Sequence, residues 1–286
     1  MIVKTRKFSV YAGGLNDNRH DSDNSGHCND VAVRDYAITS ISDYGSVCTI
    51  SDVNDDEDYK YLKLTFTKLY QGISYLDTCN ASLLERRAEK AKYSSVLHYT
   101  LTYGEINDMD CMRRIFLFLR STGLLPKRGI FYDLGSGIGR PVFGASLLHP
   151  FDKCIGIELL SSLHSISMEV LNKWIDIIKV DDKLRSFVYS YAQQVNFIQG
   201  SILDSSTIDW TDGDIVFANS TCFDNIMMQT LLEISATMKI GSVFITLSQP
   251  LILTAPAMVS GKLNEILVEE VACWRVIGVS REAMSW

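Results

Sequence analysis

The sequence lacks the features that define several large protein classes. It has 286 residues, 47% of them hydrophobic. No apolar run approaches the roughly 20 residues that a membrane-spanning helix needs. Its five histidines show no metal-ligand spacing, and no Ser-His-Asp or Cys-His arrangement indicates a covalent nucleophile. We therefore expect neither a membrane span, nor a metal centre, nor covalent catalysis.

Cysteine usage and charge limit the compartment and the partners. The seven cysteines are scattered and odd in number, without zinc or redox spacing, so we expect reduced thiols in the cytosol or nucleus. The net charge of −7 argues against a protein that coats nucleic acid through bulk electrostatics. Four basic residues nevertheless cluster in one short stretch: Arg86, Arg87, Lys90 and Lys92. They form either a solvated helix face or a contact for an acidic partner.

The pattern along the chain changes at about residue 95. We expect residues 1–95 to form a small N-terminal α+β appendage and residues 96–286 to form the main domain. Residues 78–93 have helical spacing of apolar positions, whereas residues 61–70 have strand-like alternation. The alternation rests on three residues: Leu62, Leu64 and Phe66.

Helices and strands alternate along the main domain. Strands are predicted at 130–132, 154–157, 195–198, 214–218 and 243–247, followed by extended segments at 263–271 and 274–279. Repeated βα units imply an α/β fold with a doubly wound, mostly parallel sheet. Such a sheet binds its ligand at the carboxyl ends of the strands.

A glycine loop follows the first predicted strand of the main domain. Its three glycines, Gly135, Gly137 and Gly139, allow a tight turn and close approach to a ligand. The loop follows a strand and opens a helix, which is the context of a nucleotide-binding loop. Its spacing is Gly-X-Gly-X-Gly, and Arg140 stands where a dinucleotide loop has its third glycine.

Two acidic residues distinguish between the possible cofactors. Asp133 precedes the loop, where a carboxylate is unfavourable for a pyrophosphate but suits the ammonium group of S-adenosyl-L-methionine. Glu158 ends the second strand, where an acidic side chain can take both ribose hydroxyls. These features favour a class I, Rossmann-like methyltransferase that uses S-adenosyl-L-methionine. A strand-to-helix turn without a ligand and a nicotinamide enzyme are the alternatives.

Four segments of the chain occur together in one known family. They are Tyr103-Gly104-Glu105, residues 131–139, Gly156-Ile157-Glu158 and residues 216–223. In this order they resemble the disruptor-of-telomeric-silencing (DOT) family, the non-SET methyltransferases of a lysine in the core of histone H3. The resemblance covers about residues 95 to 250 and looks most like the short protist, trypanosome-like members.

The resemblance implies roles for the matched residues. It implies that these bind the cofactor: Tyr103, Gly104, Glu105, Ile106, Asp133, Leu134, Gly135, Ser136, Gly137, Gly139, Arg140, Glu158, Ser201, Ile202 and Asn219. Within this set, residues 103–106 close over the methionine end, Glu158 holds the ribose, and residues 201–202 flank the adenine. The resemblance implies catalytic roles for Asn219, Tyr103 and Phe223, which line the passage for the lysine amine.

The chain departs from the family pattern at several of these positions. Ser201 stands where the family commonly has an acid for the adenine amine. Ile106 replaces a small hydroxyl residue and Arg140 replaces an amide side chain. We find no counterpart of the family's channel tyrosine. Simpler structural roles stay open for three residues: Glu105, Asn219 and Phe223.

The resemblance therefore implies a nuclear histone-lysine N-methyltransferase and chromatin regulator. The expected reaction is direct, in-line methyl transfer to a lysine of histone H3 in the nucleosome. An apolar channel must favour the neutral amine, because the pKa of lysine is ~10.4. The basic cluster at 86–92 is the candidate DNA or histone contact. The alternatives are a class I methyltransferase acting on RNA or a small molecule, and a catalytically silent module that binds cofactor or histone.

Overall fold

The fold is built around a seven-stranded sheet. The computed structural model describes residues 56–92, 109–188, 195–204, 206–239, 241–247, 266–271 and 274–279. The strands of the sheet are β1 (Ile130–Leu134), β2 (Lys153–Glu158), β3 (Val195–Gln199), β4 (Ile215–Ala218), β5 (Val243–Leu247), β6 (Ile266–Val271) and β7 (Trp274–Val279). Their spatial order is β3-β2-β1-β4-β5-β7-β6. Strands β1 to β5 are parallel, whereas β7 runs antiparallel to β5 and β6 antiparallel to β7. The predicted doubly wound, mostly parallel sheet is confirmed.

Helices cover both faces of this sheet. They are α1 (Asp56–Leu69), α2 (Tyr75–Lys92), α3 (Met109–Ser121), α4 (Arg140–Leu148), α5 (Ser161–Val180), α6 (Asp182–Phe187) and α7 (Asn225–Ser235). On one face, Phe131 and Phe217 of the sheet share a core cluster with Phe143 of α4 and Trp174 of α5. On the other face, residues of α7 and Trp210 pack against the alternate strand positions. Successive strand residues point to opposite faces, so the sheet contributes side chains to a hydrophobic core on each face.

The strand order places a crevice at one edge of the sheet. From β1 the chain winds outward through β2 to β3, then returns to β4 on the other side of β1. In open α/β sheets, ligands bind outside the carboxyl ends of the strands at such a switch point. The candidate site residues after β1, β2, β3 and β4 all fall at this edge.

Helix α1 corrects one prediction, because residues 61–70 do not form a strand. Leu62, Phe66 and Leu69 are buried at helical spacing, while Leu64 is 54% exposed. Leu62 and Phe66 lie four residues apart, a separation that fits both a strand face and a helix face. The neighbouring buried residues Tyr59 and Leu69 fit only the helical period, so the strand within the α+β appendage was wrong.

The other described elements agree closely with the predicted ones. Helix α2 is confirmed, and Pro141 lies in the first turn of α4. Helices α1 and α2 pack against α4 and α5. The predicted boundary between residues 1–95 and 96–286 falls outside the described residues and stays a prediction. No helix in the described ranges is both long and apolar enough to cross a membrane.

Candidate active site

The backbone of the glycine loop turns toward β2. Gly135 and Ser136 donate their N–H groups to the carbonyl of Ile157, at 2.9 and 3.0 Å. Gly137 donates its N–H to Oε2 of Glu158 at 2.8 Å. A phosphate-binding loop instead directs its N–H groups at the ligand. The loop is therefore built to hold an acidic side chain in place, which disfavours the nicotinamide alternative.

Two of the loop glycines are required by what packs on them. Gly139 has a φ of 85°, and a Cβ there would overlap the ring of Phe197. Gly135 has a φ of 77°, and a Cβ there would lie 3.3 Å from Cζ of Phe223. The second contact brings Phe223, in the segment after β4, onto the loop after β1.

Asp133 and Glu158 form a pair of buried acids on one face of the sheet. Their side chains are 1% and 7% exposed. Among the described residues, no group hydrogen-bonds to either carboxylate oxygen of Asp133. Burial, reinforced by the charge of Glu158, raises the pKa of Asp133 well above its usual range. A buried carboxylate without a partner is unfavourable, so this position calls for a cationic ligand group.

Glu158 is oriented from two sides. Its Oε2 accepts from Gly137 and its Oε1 accepts from the N–H of Leu160, both at 2.8 Å. Burial raises the pKa of Glu158, and these backbone donors act in the opposite direction. A carboxylate has about four acceptor positions, so Glu158 can still accept hydrogen bonds from two ribose hydroxyls. Together the two acids fit the ammonium and ribose groups of S-adenosyl-L-methionine.

The residues after β3 lie beside this acid. Glu158 is paired with Gln199 across the two strands, and Gly200 donates to the carbonyl of Glu158 at 2.9 Å. Ser201 accepts from the N–H of Leu203 through its hydroxyl, and Ile202 is 5% exposed. Both predicted adenine-flanking residues are thus at the expected edge.

The end of β4 forms the other side of the crevice. Ala218 pairs with Leu134, so Asn219 follows directly beside the glycine loop. Oδ1 of Asn219 accepts from the hydroxyl of Thr221 at 2.8 Å. A short 3-10 turn, Ser220–Cys222, is held by a hydrogen bond from the Ser220 hydroxyl to the carbonyl of Leu247. The structure therefore brings Asn219 and Phe223 next to the loop.

Tyr70, directly after α1, and Glu85 of α2 make contacts that the sequence did not reveal. The hydroxyl of Tyr70 donates to the carbonyl of Ile138 at 3.4 Å, and the guanidinium of Arg140 lies 4.1 Å from the centre of the Tyr70 ring. Glu85 accepts hydrogen bonds from Ser161 and Ser162 at the start of α5. One sequence signal was available, since α5 begins after Leu160, which has no capping side chain.

Several predicted residues are not placed by the described structure. The segment Tyr103, Gly104, Glu105 and Ile106 lies outside the described residues, as do the side chains of Lys90 and Lys92. Within the basic cluster, Arg87 is exposed, and Nε of Arg86 donates to the carbonyl of Ser82 at 3.1 Å.

Comparison with known proteins gives one family and a set of distant structures. The family described as "Histone methylation protein DOT1" matches residues 82–274, more than half of the chain. No curated protein matches. The rRNA methyltransferase aviRa from Streptomyces viridochromogenes is 14% identical, with 64% of this chain and 90% of that chain covered and a TM-score of 0.43. M. capricolum TrmK, solved with S-adenosyl-homocysteine, is 11% identical, with coverages of 64% and 74% and a TM-score of 0.37.

Proposed function

The chain belongs to the DOT1 histone methylation family, and from this we propose that it methylates a lysine in the core of histone H3 within the nucleosome. Its cofactor is S-adenosyl-L-methionine, and it is a methyltransferase of the class I fold. The family match carries the substrate proposal. The site supports the cofactor, since Asp133, which has no hydrogen-bond partner among the described residues, lies beside Glu158, and Phe223 packs on the same loop. Action on chromatin places the enzyme in the nucleus.

The two buried acids have separate tasks in cofactor binding. The unpaired carboxylate of Asp133 attracts the methionine ammonium group, and Glu158 accepts from the ribose hydroxyls. When bound, the cofactor supplies a methyl group on a sulfonium, ready for direct displacement. Residues 103–106 are proposed to close over the methionine end, as the family resemblance implies.

The lysine amine must reach the site in its neutral form. Phe223 is 9% exposed and packs on Gly135, so it presents an apolar surface beside the glycine loop. An apolar passage disfavours the ammonium form of a lysine whose pKa is ~10.4 in water. The amide of Asn219 is proposed to align the amine. Positioning and desolvation of the lysine amine then promote methyl transfer without a strong general base.

The substrate proposal is tested by mass spectrometry of histone H3 after reaction with nucleosomes. We expect methylation of a single lysine in the folded core of H3, with parallel reactions on free histones and RNA much weaker. Methylation of RNA alone would contradict the histone substrate and support a class I methyltransferase that acts on RNA. Cofactor binding without product on any of these substrates would favour the silent module.

Two variants test the assignment of roles within the site. Asn219→Ala is expected to reduce turnover more than cofactor affinity, because its amide is proposed to align the amine. Gly137→Arg is expected to abolish cofactor binding, because Gly137 has a φ of 54° and its N–H holds Glu158. Turnover and calorimetric binding of S-adenosyl-homocysteine separate the two effects. Undiminished turnover in Asn219→Ala would contradict its role.

The basic cluster on α2 is proposed as the DNA or histone contact. Arg87→Glu is expected to weaken nucleosome binding and to reduce the salt dependence of that binding. Lys153→Glu is the matched control, since Lys153 is exposed at the amino end of β2, on the edge opposite the site. Equal nucleosome affinity for both variants would reject the contact.

A further inference from the structure

The first turn of α5 obtains its capping groups from outside the helix. The N-cap residue is Leu160, whose side chain has no hydrogen-bond acceptor. The N–H groups of Ser161 and Ser162 donate to the two carboxylate oxygens of Glu85, both at 2.8 Å, and the Ser161 hydroxyl adds a bond of 2.6 Å. Glu85 lies on α2, 76 residues earlier in the chain. A carboxylate is favoured at this end of a helix by the helix dipole.

The same turn also orients the ribose-binding acid. The preceding N–H, that of Leu160, donates to Oε1 of Glu158. Two carboxylates therefore share the start of α5, with Glu85 on its first two residues and Glu158 on the N-cap residue. A shift of this turn would move the Leu160 donor and so rotate Glu158.

Tyr70 makes a corresponding contact with the glycine loop. It is 5% exposed, its hydroxyl donates to the carbonyl of Ile138, and its ring lies under the guanidinium of Arg140. Ile138 and Arg140 flank Gly139, so Tyr70 touches the loop just before α4 begins. Tyr70, directly after α1, thus contacts the glycine loop, and Glu85 of α2 contacts the turn that follows Glu158.

We propose that Tyr70 and Glu85 are positioning residues of the cofactor site, through which α1 and α2 hold the glycine loop and the Glu158 turn in their binding geometry. This inference rests on the proposed function, because it assigns the ribose to Glu158. Glu85 is charged at neutral pH: burial would raise its pKa, but the hydrogen bonds from Ser161 and Ser162 lower it overall. Its charge therefore reinforces the cap on α5.

The test compares Glu85→Gln with Glu169→Gln, the same change at an exposed position on α5. Glu85 is proposed to act on binding through the Glu158 turn, so the free energy of one charge-assisted hydrogen bond limits the change in affinity to about tenfold. We expect the Kd of S-adenosyl-homocysteine and the KM of the cofactor to rise by about this factor in Glu85→Gln, with kcat nearly unchanged. Glu85→Ala should raise this Kd further, and Glu169→Gln should bind S-adenosyl-homocysteine as tightly as the wild type.

A second pair of variants tests the loop contact. Tyr70→Phe should weaken binding of S-adenosyl-homocysteine several-fold. Tyr132→Phe is its control, since Tyr132 also donates to a backbone carbonyl, at 3.3 Å, but on the opposite face of the sheet. A lower melting temperature with unchanged Kd in both Glu85→Gln and Tyr70→Phe would overturn the inference and leave only a structural role. Failure of the wild-type protein itself to bind S-adenosyl-homocysteine would refute the cofactor assignment instead.

Discussion

Replacing Asp133 by Asn should stabilise the free protein and weaken cofactor binding at the same time. The side chain is 1% exposed and, within the described residues, neither of its oxygens has a hydrogen-bond partner. Burying an unpaired carboxylate costs several kcal/mol, whereas an unsatisfied neutral amide costs about 1–3 kcal/mol. We expect Asp133→Asn to raise the free energy of unfolding by about 2 kcal/mol near neutral pH.

The pH dependence follows from the raised pKa of Asp133. Between the usual pKa of about 4 and the raised value in the folded state, the folded protein holds a proton that the unfolded chain releases. The free energy of unfolding therefore falls as pH rises through this window. The destabilisation by the charged Asp133 is complete above the pKa of Asp133 in the folded protein. The stabilising effect of Asp133→Asn should vanish at acidic pH, where the wild-type carboxyl is also neutral.

Cofactor binding should respond in the opposite direction. Breaking a buried charge pair costs about 3–5 kcal/mol, so the affinity for S-adenosyl-homocysteine should fall by about a hundredfold or more in Asp133→Asn. In the wild-type protein, affinity should weaken as pH falls and Asp133 becomes protonated, and this dependence should be much reduced in the variant. Thermal unfolding and calorimetry over a pH series measure both effects, with Asp176→Asn on the surface of α5 as the control. A less stable variant, or one that binds as tightly as the wild type, would refute the reasoning.

Three further predictions concern stability. Leu62→Ala should lower the free energy of unfolding by about 2–5 kcal/mol, and Leu64→Ala should lower it by much less. Equal losses in denaturant unfolding would contradict the helix and support the predicted strand, in which both residues lie on one face. Gly139→Ala should cost about 2 kcal/mol or more, since it combines a positive φ with overlap on Phe197; Gly123→Ala, which has a positive φ in open space, should cost about 1 kcal/mol. Burial and the charge of Arg120 lower the pKa of His149 to about 4. The contribution of His149 to the free energy of unfolding should therefore be complete above about pH 6.5 and fall by roughly 3 kcal/mol toward pH 4. His149→Phe should remove this loss, as measured by urea titrations at each pH.

The order of the secondary-structure elements and the cofactor loop were accessible from the sequence. The strands β1 to β5 are short apolar runs bounded by turn residues, and each is found within about one or two residues of its predicted place. The acids Asp133 and Glu158 were identified because each directly ends such a run. The error in α1 arose where two periods coincide over a few residues and only burial distinguishes them.

The supports of the site were not accessible, because their partners are far away in the chain. Tyr70 lies 68 residues from Ile138, and Glu85 lies 76 residues from Ser161. No local pattern encodes such pairs, since the approach of α1 and α2 to the loop depends on how they pack against α4 and α5.

The sequence alone thus determined the chemistry that the site can offer: glycines for a tight turn, one acid before the loop and one after the second strand. These properties belong to the residues themselves and to their position after a strand. Only the tertiary structure decided which groups are already satisfied. It engages the loop N–H groups with Ile157 and Glu158, leaves Asp133 buried without a partner among the described residues, and places Glu85 at the start of α5. Burial and hydrogen bonding depend on neighbours from distant parts of the chain, so they appear only when the chain is folded.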